Sequence, residues 1–394
     1  MPRRASVYVH FPWCLAKCPY CDFVSYAAPR DSIDHEGYAD AVLSELALRA
    51  REPEVGDGLR IASIFFGGGT PSLWAPRSLG RVLAGIKNAL ACDEADLEVT
   101  VECNPTSLDL ETARALHSEG VNRLSIGTQS LRADQLKYLG RLHDPDGARV
   151  ALRAALSSGV PRVSTDLIFG LPDESPEVAS AEAIALADLG LNHLSCYQLT
   201  IEPGTQFGEL AKRGRLPRAD DGMVAESFLA IDEALSRRGF GHYEISNYAK
   251  PNEEARHNLG YWRGEEYLGL GCAAFGFLRR GEASCDGVRY RNDPDPRRYV
   301  ESTRSPGALD ARTTREPLDA ETLLRERIML GLRLATGIDL EAAARELGVP
   351  GWTPERSSEA ARLEDRGRLV REGSRMRLSP RAWLWADDAS ARLF

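Results

Sequence analysis

Three cysteines stand within eight positions near the start of this 394-residue chain: Cys14, Cys18 and Cys21 in VYVHFPWCLAKCPYCDF (7–23). Thiolates bind soft metals or exchange electrons, so the spacing decides between chemistries. Cys18-Pro-Tyr-Cys21 alone would serve as a redox dithiol, because a CxxC that follows an apolar strand-like run is the setting of thioredoxin-type motifs. Such a domain needs only about a hundred residues and has no use for Cys14. A closed structural zinc site wants a fourth ligand, and no second CxxC or HxxxH pair follows. Three thiolates suit a [4Fe-4S] cluster, where they hold three irons and leave one open to an exogenous ligand. The cysteines by themselves leave the dithiol and zinc readings standing beside the cluster.

Other polar residues sit where apolar runs end. The run IASIFF (61–66) leads into GGGTPS (67–72), whose successive glycines let backbone N–H and C=O groups approach a small ligand. No GK[ST] follows, so this is not a Walker loop, and Ser72 stands where a GxGxxG fingerprint needs its last glycine. A tight strand-to-helix turn is the plain alternative. Glu102 stands near the end of LEVTVEC, Gln129 follows VNRLSIG, and Asp166 lies in PRVSTDLIFG. Arg141, in LGRLHDP, adds a cation able to meet a carboxylate.

The elements that must position these residues alternate. β-Branched apolar runs occur at 6–11, 61–66, 97–103, 121–127, 161–170 and 191–199, with helical patterns such as 38–52, 111–120 and 180–190 between them. Strand–helix repeats of this kind imply parallel strands joined by right-handed crossovers. Periodicity alone fits an open doubly wound sheet or a partial TIM-type barrel. The polar residues gather just past the strand ends, the face on which α/β barrels build their sites.

Composition narrows the setting. Eight cysteines in 394 residues are too sparse for a disulfide framework, and those at 92, 103, 196, 272 and 285 read as small buried hydrophobes. No run approaches the roughly eighteen apolar residues of a membrane span, and MPRRAS leads straight into the first strand without a signal-peptide core. A cytoplasmic protein is expected. The net charge of −9, from 49 basic and 58 acidic residues, disfavours a non-specific hold on nucleic acid.

CxxxCxxC at 14–21, the aromatic Tyr20 before the last cysteine, GGGTP, and the series Glu102, Gln129, Arg141, Asp166 resemble the radical S-adenosylmethionine (SAM) superfamily. Within it they resemble the subfamily of oxygen-independent coproporphyrinogen III oxidase and its heme-chaperone relative, HemW. The resemblance runs over essentially the whole chain. It implies an incomplete (β/α)6 TIM-type barrel over about 1–235, with Cys14, Cys18 and Cys21 ligating the cluster. It also implies SAM bound through its methionine part at the open iron, with Gly69, Thr70 and Glu102 about its ammonium, Arg141 at its carboxylate, and Gly68 among the cofactor-binding residues. Gln129 and Asp166 would take the ribose hydroxyls, Tyr20 the adenine, and Tyr8 a place near the sulfonium. The cofactor would then supply the chemistry, an electron from the cluster splitting the sulfonium to a 5′-deoxyadenosyl radical.

Beyond the barrel, an α+β extension over 236–290 carries His257-Asn258-Leu259-Gly260-Tyr261-Trp262, an HNxxYW element that the heme-chaperone branch associates with heme, with His257 as the expected iron ligand. Residues 291–317 read as a Pro- and charge-rich linker, and 318–394 as a winged-helix-like domain. Residues 305–394 hold 15 arginines against 15 acidic side chains, which makes DNA a poor partner. The decarboxylating oxidase carries a fourth cysteine two positions after the third and a long N-terminal extension. Here Phe23 occupies that position and the first cysteine comes at residue 14. The resemblance therefore implies a heme chaperone holding a [4Fe-4S] cluster, SAM and heme. Its partners would be a heme-acceptor protein and an electron donor such as flavodoxin or ferredoxin. Oxygen-independent coproporphyrinogen oxidation is the alternative.

Overall fold

The computed structural model describes residues 3–55, 58–93, 95–280 and 285–394; Met1 and Pro2, the head of MPRRAS, lie outside them. Six parallel strands form the centre: β1 (Arg3–Phe11), β2 (Leu59–Gly68), β3 (Glu98–Cys103), β4 (Arg123–Gln129), β5 (Arg162–Phe169) and β6 (His193–Gln198), hydrogen-bonded in that order. Helices α1 (His35–Arg49), α2 (Pro76–Ala89), α3 (Leu110–Ser118), α4 (Ala133–Tyr138), α5 (Pro145–Leu156) and α6 (Pro176–Ala187) fall between them, with α7 (Gln206–Lys212) and α8 (Asp221–Ser236) after β6. The expected strand runs and helices are therefore present. Side-chain caps fix the helix starts, as where Asp109 accepts from the Thr112 N–H of α3 at 2.7 Å. Gly120 and Gly190, which end two of the helical patterns, adopt φ of 101° and 92° that other residues resist.

Alternation along the strands sorts the side chains. Val7, Val9, Ile64, Phe66, Val99, Val101, Leu124 and Ile126 are buried in the apolar core, each worth about 1.5–3 kcal/mol. The opposite parity is polar: Ser6, Tyr8 and His10 on β1, Ser63 on β2, Glu98, Thr100 and Glu102 on β3, Arg123 and Ser125 on β4, Asp166 on β5. The barrel interior is lined with hydrogen-bonding groups and charge.

The sheet continues past the six strands. β7 (Gly241–Glu244) and β8 (Asn247–Ala249) form an antiparallel edge beyond β6. On the other side β9 (Glu266–Leu270) joins β1 in parallel, followed by antiparallel β10 (Phe275–Arg279), β11 (Gly287–Arg291) and β12 (Thr314–Leu318). The result is one twelve-stranded open sheet with order β12-β11-β10-β9-β1-β2-β3-β4-β5-β6-β8-β7. Helix α9 (Arg256–Trp262) packs under the barrel at the start of β9. After β12 come α12 (Ala320–Gly331), α13 (Leu340–Leu347) and α14 (Pro354–Asp365), with a three-stranded antiparallel sheet of Ile338–Asp339, Leu369–Glu372 and Arg375–Leu378, a winged-helix-like arrangement.

The expected linker is ordered structure. Residues 291–317 hold α10 (Pro296–Ser302), α11 (Pro306–Arg312) and most of β12, which pairs with β11 from Gly287↔Leu318 to Arg291↔Thr314. The segment is pinned to α1 through Glu45. That carboxylate accepts from Arg49 Nε at 3.2 Å, Asn292 Nδ2 at 2.7 Å, the Gly271 N–H at 2.8 Å and the Tyr299 hydroxyl at 2.7 Å. Glu45 and Arg49 both have fully buried side chains, so removing one partner strands a charge. Glu45→Ala should lower the unfolding free energy by about 3–5 kcal/mol in denaturant titration and open residues 291–317 to trypsin; a loss under about 1 kcal/mol would contradict this anchor.

Candidate functional site

The cysteine loop leaves the end of β1 and returns beside it. Trp13–Cys14 pairs in parallel with Tyr26–Ala27, and the Cys21 N–H donates to the Cys18 carbonyl at 3.1 Å, closing a tight turn. The loop is held against the GGGT turn by backbone: the Gly69 N–H donates to the Phe11 carbonyl at 2.7 Å and the Thr70 N–H to the Trp13 carbonyl at 2.8 Å. A Cβ at Gly69 would lie 2.5 Å from the Trp13 oxygen, so this contact requires glycine. Gly68 has φ 113°, and a Cβ there would strike the His10 ring at 2.6 Å. His10 is the second tie: its Nε2 donates to the Val24 carbonyl at 2.8 Å, so Nδ1 accepts from the Tyr8 hydroxyl at 3.0 Å. Burial holds His10 near pKa 4, neutral as this geometry needs.

Cys14, Cys18 and Cys21 line one cavity together with Tyr20, Gly68, Gly69, Thr70, Glu102, Gln129, Arg141 and Asp166. Thus all but two of the residues singled out by sequence share a single space. Burial raises the Cys14 and Cys21 thiols, and the other thiols of the set raise them further. Arg141 spans the set, its Nη1 3.4 Å from Cys18 Sγ and its Nη2 2.7 Å from the Gly127 carbonyl. Glu102 accepts from the Gly68 N–H at 3.1 Å, and Asp166 accepts from Ser125 Oγ at 3.5 Å. Burial, then the charge of Asp166, pushes Glu102 up to about 8. Burial likewise lifts Asp166 to about 6 against the hydrogen bonds of Ser195 and Ser125.

These residues fit the cofactors that the sequence implies. Three thiols face a space shared with two carboxylates whose raised pKa values call for a cation, which an ammonium or sulfonium supplies. Gln129 Oε1 and Arg141 Nε are buried without partners, and Gln129 holds φ 67°, a conformation costly outside glycine and characteristic of ligand clamps. Among the described residues no three His, Cys, Asp or Glu side chains converge on a single metal ion. A cuboidal cluster asks for something wider, because its thiolates bind separate irons.

Tyr8 and His257 fall outside the cavity lining. Tyr8 lies behind the glycine turn, where a Cβ on Gly67 would come within 2.9 Å of its ring. The expectation of His257 as an accessible heme ligand meets a different geometry. Its ring is 2 % exposed, stacked 4.8 Å from Phe65, with Nδ1 2.9 Å from Ser63 Oγ and Nε2 3.2 Å from the Tyr261 hydroxyl. Both ring nitrogens are engaged: Nδ1 ties α9 to β2 through Ser63, and Nε2 meets Tyr261 one turn along the same helix. Asn104, Ser125 and Gly127, not singled out from sequence, also line the cavity. Ser125 and Gly127 share the strand parity of Gln129, which is the signal that would have found them.

Comparisons with known proteins follow the same division. Residues 8–183 match the family model of the radical SAM superfamily, and 318–385 match that of the HemN C-terminal domain. The heme chaperone HemW of Escherichia coli (strain K12) is 38% identical over 310 residues, 77% of this chain and 79% of the relative. HemW of Mycobacterium tuberculosis (strain ATCC 25618 / H37Rv) is 34% identical over 384 residues, covering 97% of this chain and 93% of the relative. Among solved structures, coproporphyrinogen III oxidase (HemN) from Escherichia coli superposes with TM-score 0.80 over 100% of this chain and 90% of that one, at 19% identity, a likeness of fold.

The cavity's electrostatics give a test. Below about pH 8 Glu102 in the ligand-free protein is protonated, and a bound ammonium needs its carboxylate. Affinity for SAM, measured by equilibrium dialysis, should therefore fall as pH drops below about 8, where Glu102 takes up its proton. Glu102→Gln should flatten this profile and weaken binding about tenfold or more while iron content stays at the wild-type level, whereas Cys14→Ala should lose the iron. A pH-dependent, wild-type affinity in Glu102→Gln would remove Glu102 from the ammonium site.

Proposed function

This chain belongs to the radical SAM superfamily and, within it, to the HemW family, and on that premise we propose that it is a cytoplasmic heme chaperone, taking up heme and passing it to an acceptor protein. Its thiol–carboxylate cavity holds a [4Fe-4S] cluster through Cys14, Cys18 and Cys21 and SAM through Glu102, Gln129, Arg141 and Asp166. When bound, the pair supplies reductive cleavage of the sulfonium; the chain binds and orients both. No helix among the described residues is long and apolar enough to cross a membrane.

The observation that carries the reading is a second cavity, of about 410 Å³, on the outer side of the HNxxYW element. Tyr261, Trp262, Tyr267, Phe277, Leu323 and Leu330 give it an apolar wall suited to a flat macrocycle. Arg289 and Arg327 stand on its rim, paired at present with Glu326 at 2.6 Å and Glu346 at 3.0 Å, and could exchange those carboxylates for propionates. We assign heme to this cleft, with His257 as the anchor of its wall rather than the iron ligand. Phe23, 59 % exposed where the decarboxylating oxidase has a cysteine, accords with a protein outside that reaction.

Leu330→Arg should weaken heme binding about tenfold or more in a Soret titration. His257→Ala should lower Tm yet leave the Soret position unchanged, and reduced protein with SAM should release no carbon dioxide from coproporphyrinogen III. A shifted Soret band in folded His257→Ala would return the ligand to that histidine, and multiple-turnover decarboxylation would replace the chaperone by the oxidase.

A further inference from the structure

A third cavity, of about 700 Å³, lies beside the heme cleft, where the HNxxYW helix meets the C-terminal domain. The end of α9 gives it Trp262 and Arg263, α12 gives Arg327, and the turn after α12 gives Leu334 and Ile338. Helix α13 and the hairpin of Leu369–Glu372 and Arg375–Leu378 close it. Its walls are built closely. A Cβ at Gly331 would lie 2.7 Å from Ile338 Cβ, and Gly337, with φ 65°, would set one against the Met376 carbonyl oxygen. The space is therefore held open by packing rather than by a ligand, as small-molecule sites at the junction of two units commonly are.

Arg263, Arg327, Arg375 and Arg377 line this cavity against Asp339, Glu346 and Glu372, and the carboxylates are already in use. Glu346 takes Arg327 at 3.0 Å, and Glu372 takes Arg377 at 3.3 Å. Asp339, opposite Arg375 in the strand pairing, accepts from the Ala342 N–H at 3.0 Å and caps α13. Arg263 and Arg375 are left over. Both are exposed, and among the described residues neither makes an ion pair; Arg375 Nη1 donates to the Thr336 carbonyl at 3.2 Å. Trp262 adds a further donor, its Nε1 buried without a partner, with Arg333 Cζ 4.6 Å over its ring.

Donors without acceptors in a roomy cavity call for the oxygens of an anion. A phosphate group brings about −1.5 to −2 charges at pH 7 and three acceptor oxygens, where a carboxylate brings one charge and two oxygens. An inorganic ion would leave Leu334, Ile338 and the Trp262 ring uncovered, whereas a ligand with an apolar body covers them. We propose that this cavity binds a small organic phosphate, held by Arg263, Arg375 and the Trp262 N–H, and that its occupancy changes the affinity for heme. The coupling follows from shared walls: Trp262 and Arg327 line this cavity and the heme cleft alike. A ligand that engages Trp262 on one side acts on the surface against which heme lies on the other, and each ligand then alters the other's affinity by the same factor. The coupling rests on the assignment of heme to that cleft; the phosphate site does not.

The test is calorimetric titration of the full-length, heme-free protein with ADP, pyrophosphate and citrate. ADP should bind wild type more tightly than either of the others. Arg263→Glu/Arg375→Glu should weaken ADP binding about tenfold or more, while Arg381→Glu, the same change of charge on the same domain outside the cavity, leaves it as it was. Should the double change lower Tm, the single variants Arg375→Gln and Trp262→Phe decide by the same comparison. No ADP binding at millimolar concentration, or equal binding in wild type and folded variants, would overturn the site. Citrate as tight as ADP would overturn the phosphate, and pyrophosphate as tight as ADP the organic body. In a Soret titration saturating ADP should shift the heme affinity of wild type about fivefold or more and leave that of the double variant unmoved. An unmoved wild-type affinity would overturn the coupling. Absence of heme uptake by wild type would count against the chaperone reading alone, since the ADP titration is read without heme.

Discussion

Two backbone hydrogen bonds, from Gly69 to Phe11 and from Thr70 to Trp13 at 2.7 and 2.8 Å, join the glycine turn after β2 to the root of the cysteine loop. Everything at the site depends on that approach. The thiols come from an irregular loop, the carboxylates from the ends of regular strands, and this contact sets one against the other. It leaves no room for a Cβ at Gly69, and the buried, neutral His10 fixes the loop's return at Val24. A catalytic or binding constellation needs such support, because geometry left to a loop is too loose to hold a ligand in register.

The barrel interior shows how burial of charge is resolved differently at its two ends. Glu98 and Glu102 lie four residues apart on the same face of β3. Burial raises both. At Glu98, Arg123 and Arg162 and the backbone N–H groups of His257 and Arg256 outweigh burial and leave the carboxyl below its ordinary range. The ion pair to Arg162, at 2.7 Å, and the N–H donors at 3.0 and 3.1 Å make a closed network that plugs the floor with α9. Glu102 has one N–H donor and a second carboxylate for company, so its pKa stays high. The floor is finished as protein, and the upper end is left for a cationic ligand to complete.

Much of this was legible in the sequence, for physical reasons. Strands that turn one face to the apolar core carry its residues at alternate positions, as Ile64 and Phe66 or Leu124 and Ile126 do, which is why 61–66 and 121–127 fall on β2 and β4. The polar residues at strand ends stood out because nothing in packing asks for them. Residues 291–317 misled because arginines, prolines and aspartates look the same whether solvated or paired. Asn292 and Tyr299 bind Glu45 from more than two hundred positions away, a relation no local pattern carries. At His257 the spacing shows a histidine beside aromatics, and only the fold adds that Ser63 and Tyr261 lie at its nitrogens.

The central claim is that the thiols of the loop and the polar ends of the strands form one site, so that cluster and SAM lie together. The most direct measurement is the EPR spectrum of the dithionite-reduced, reconstituted protein with and without SAM labelled with ¹⁵N at its amino group. The account predicts that SAM changes the g-values and that a nitrogen coupling to the label appears in pulsed spectra. Identical spectra with and without bound SAM would place the two in separate sites and contradict it.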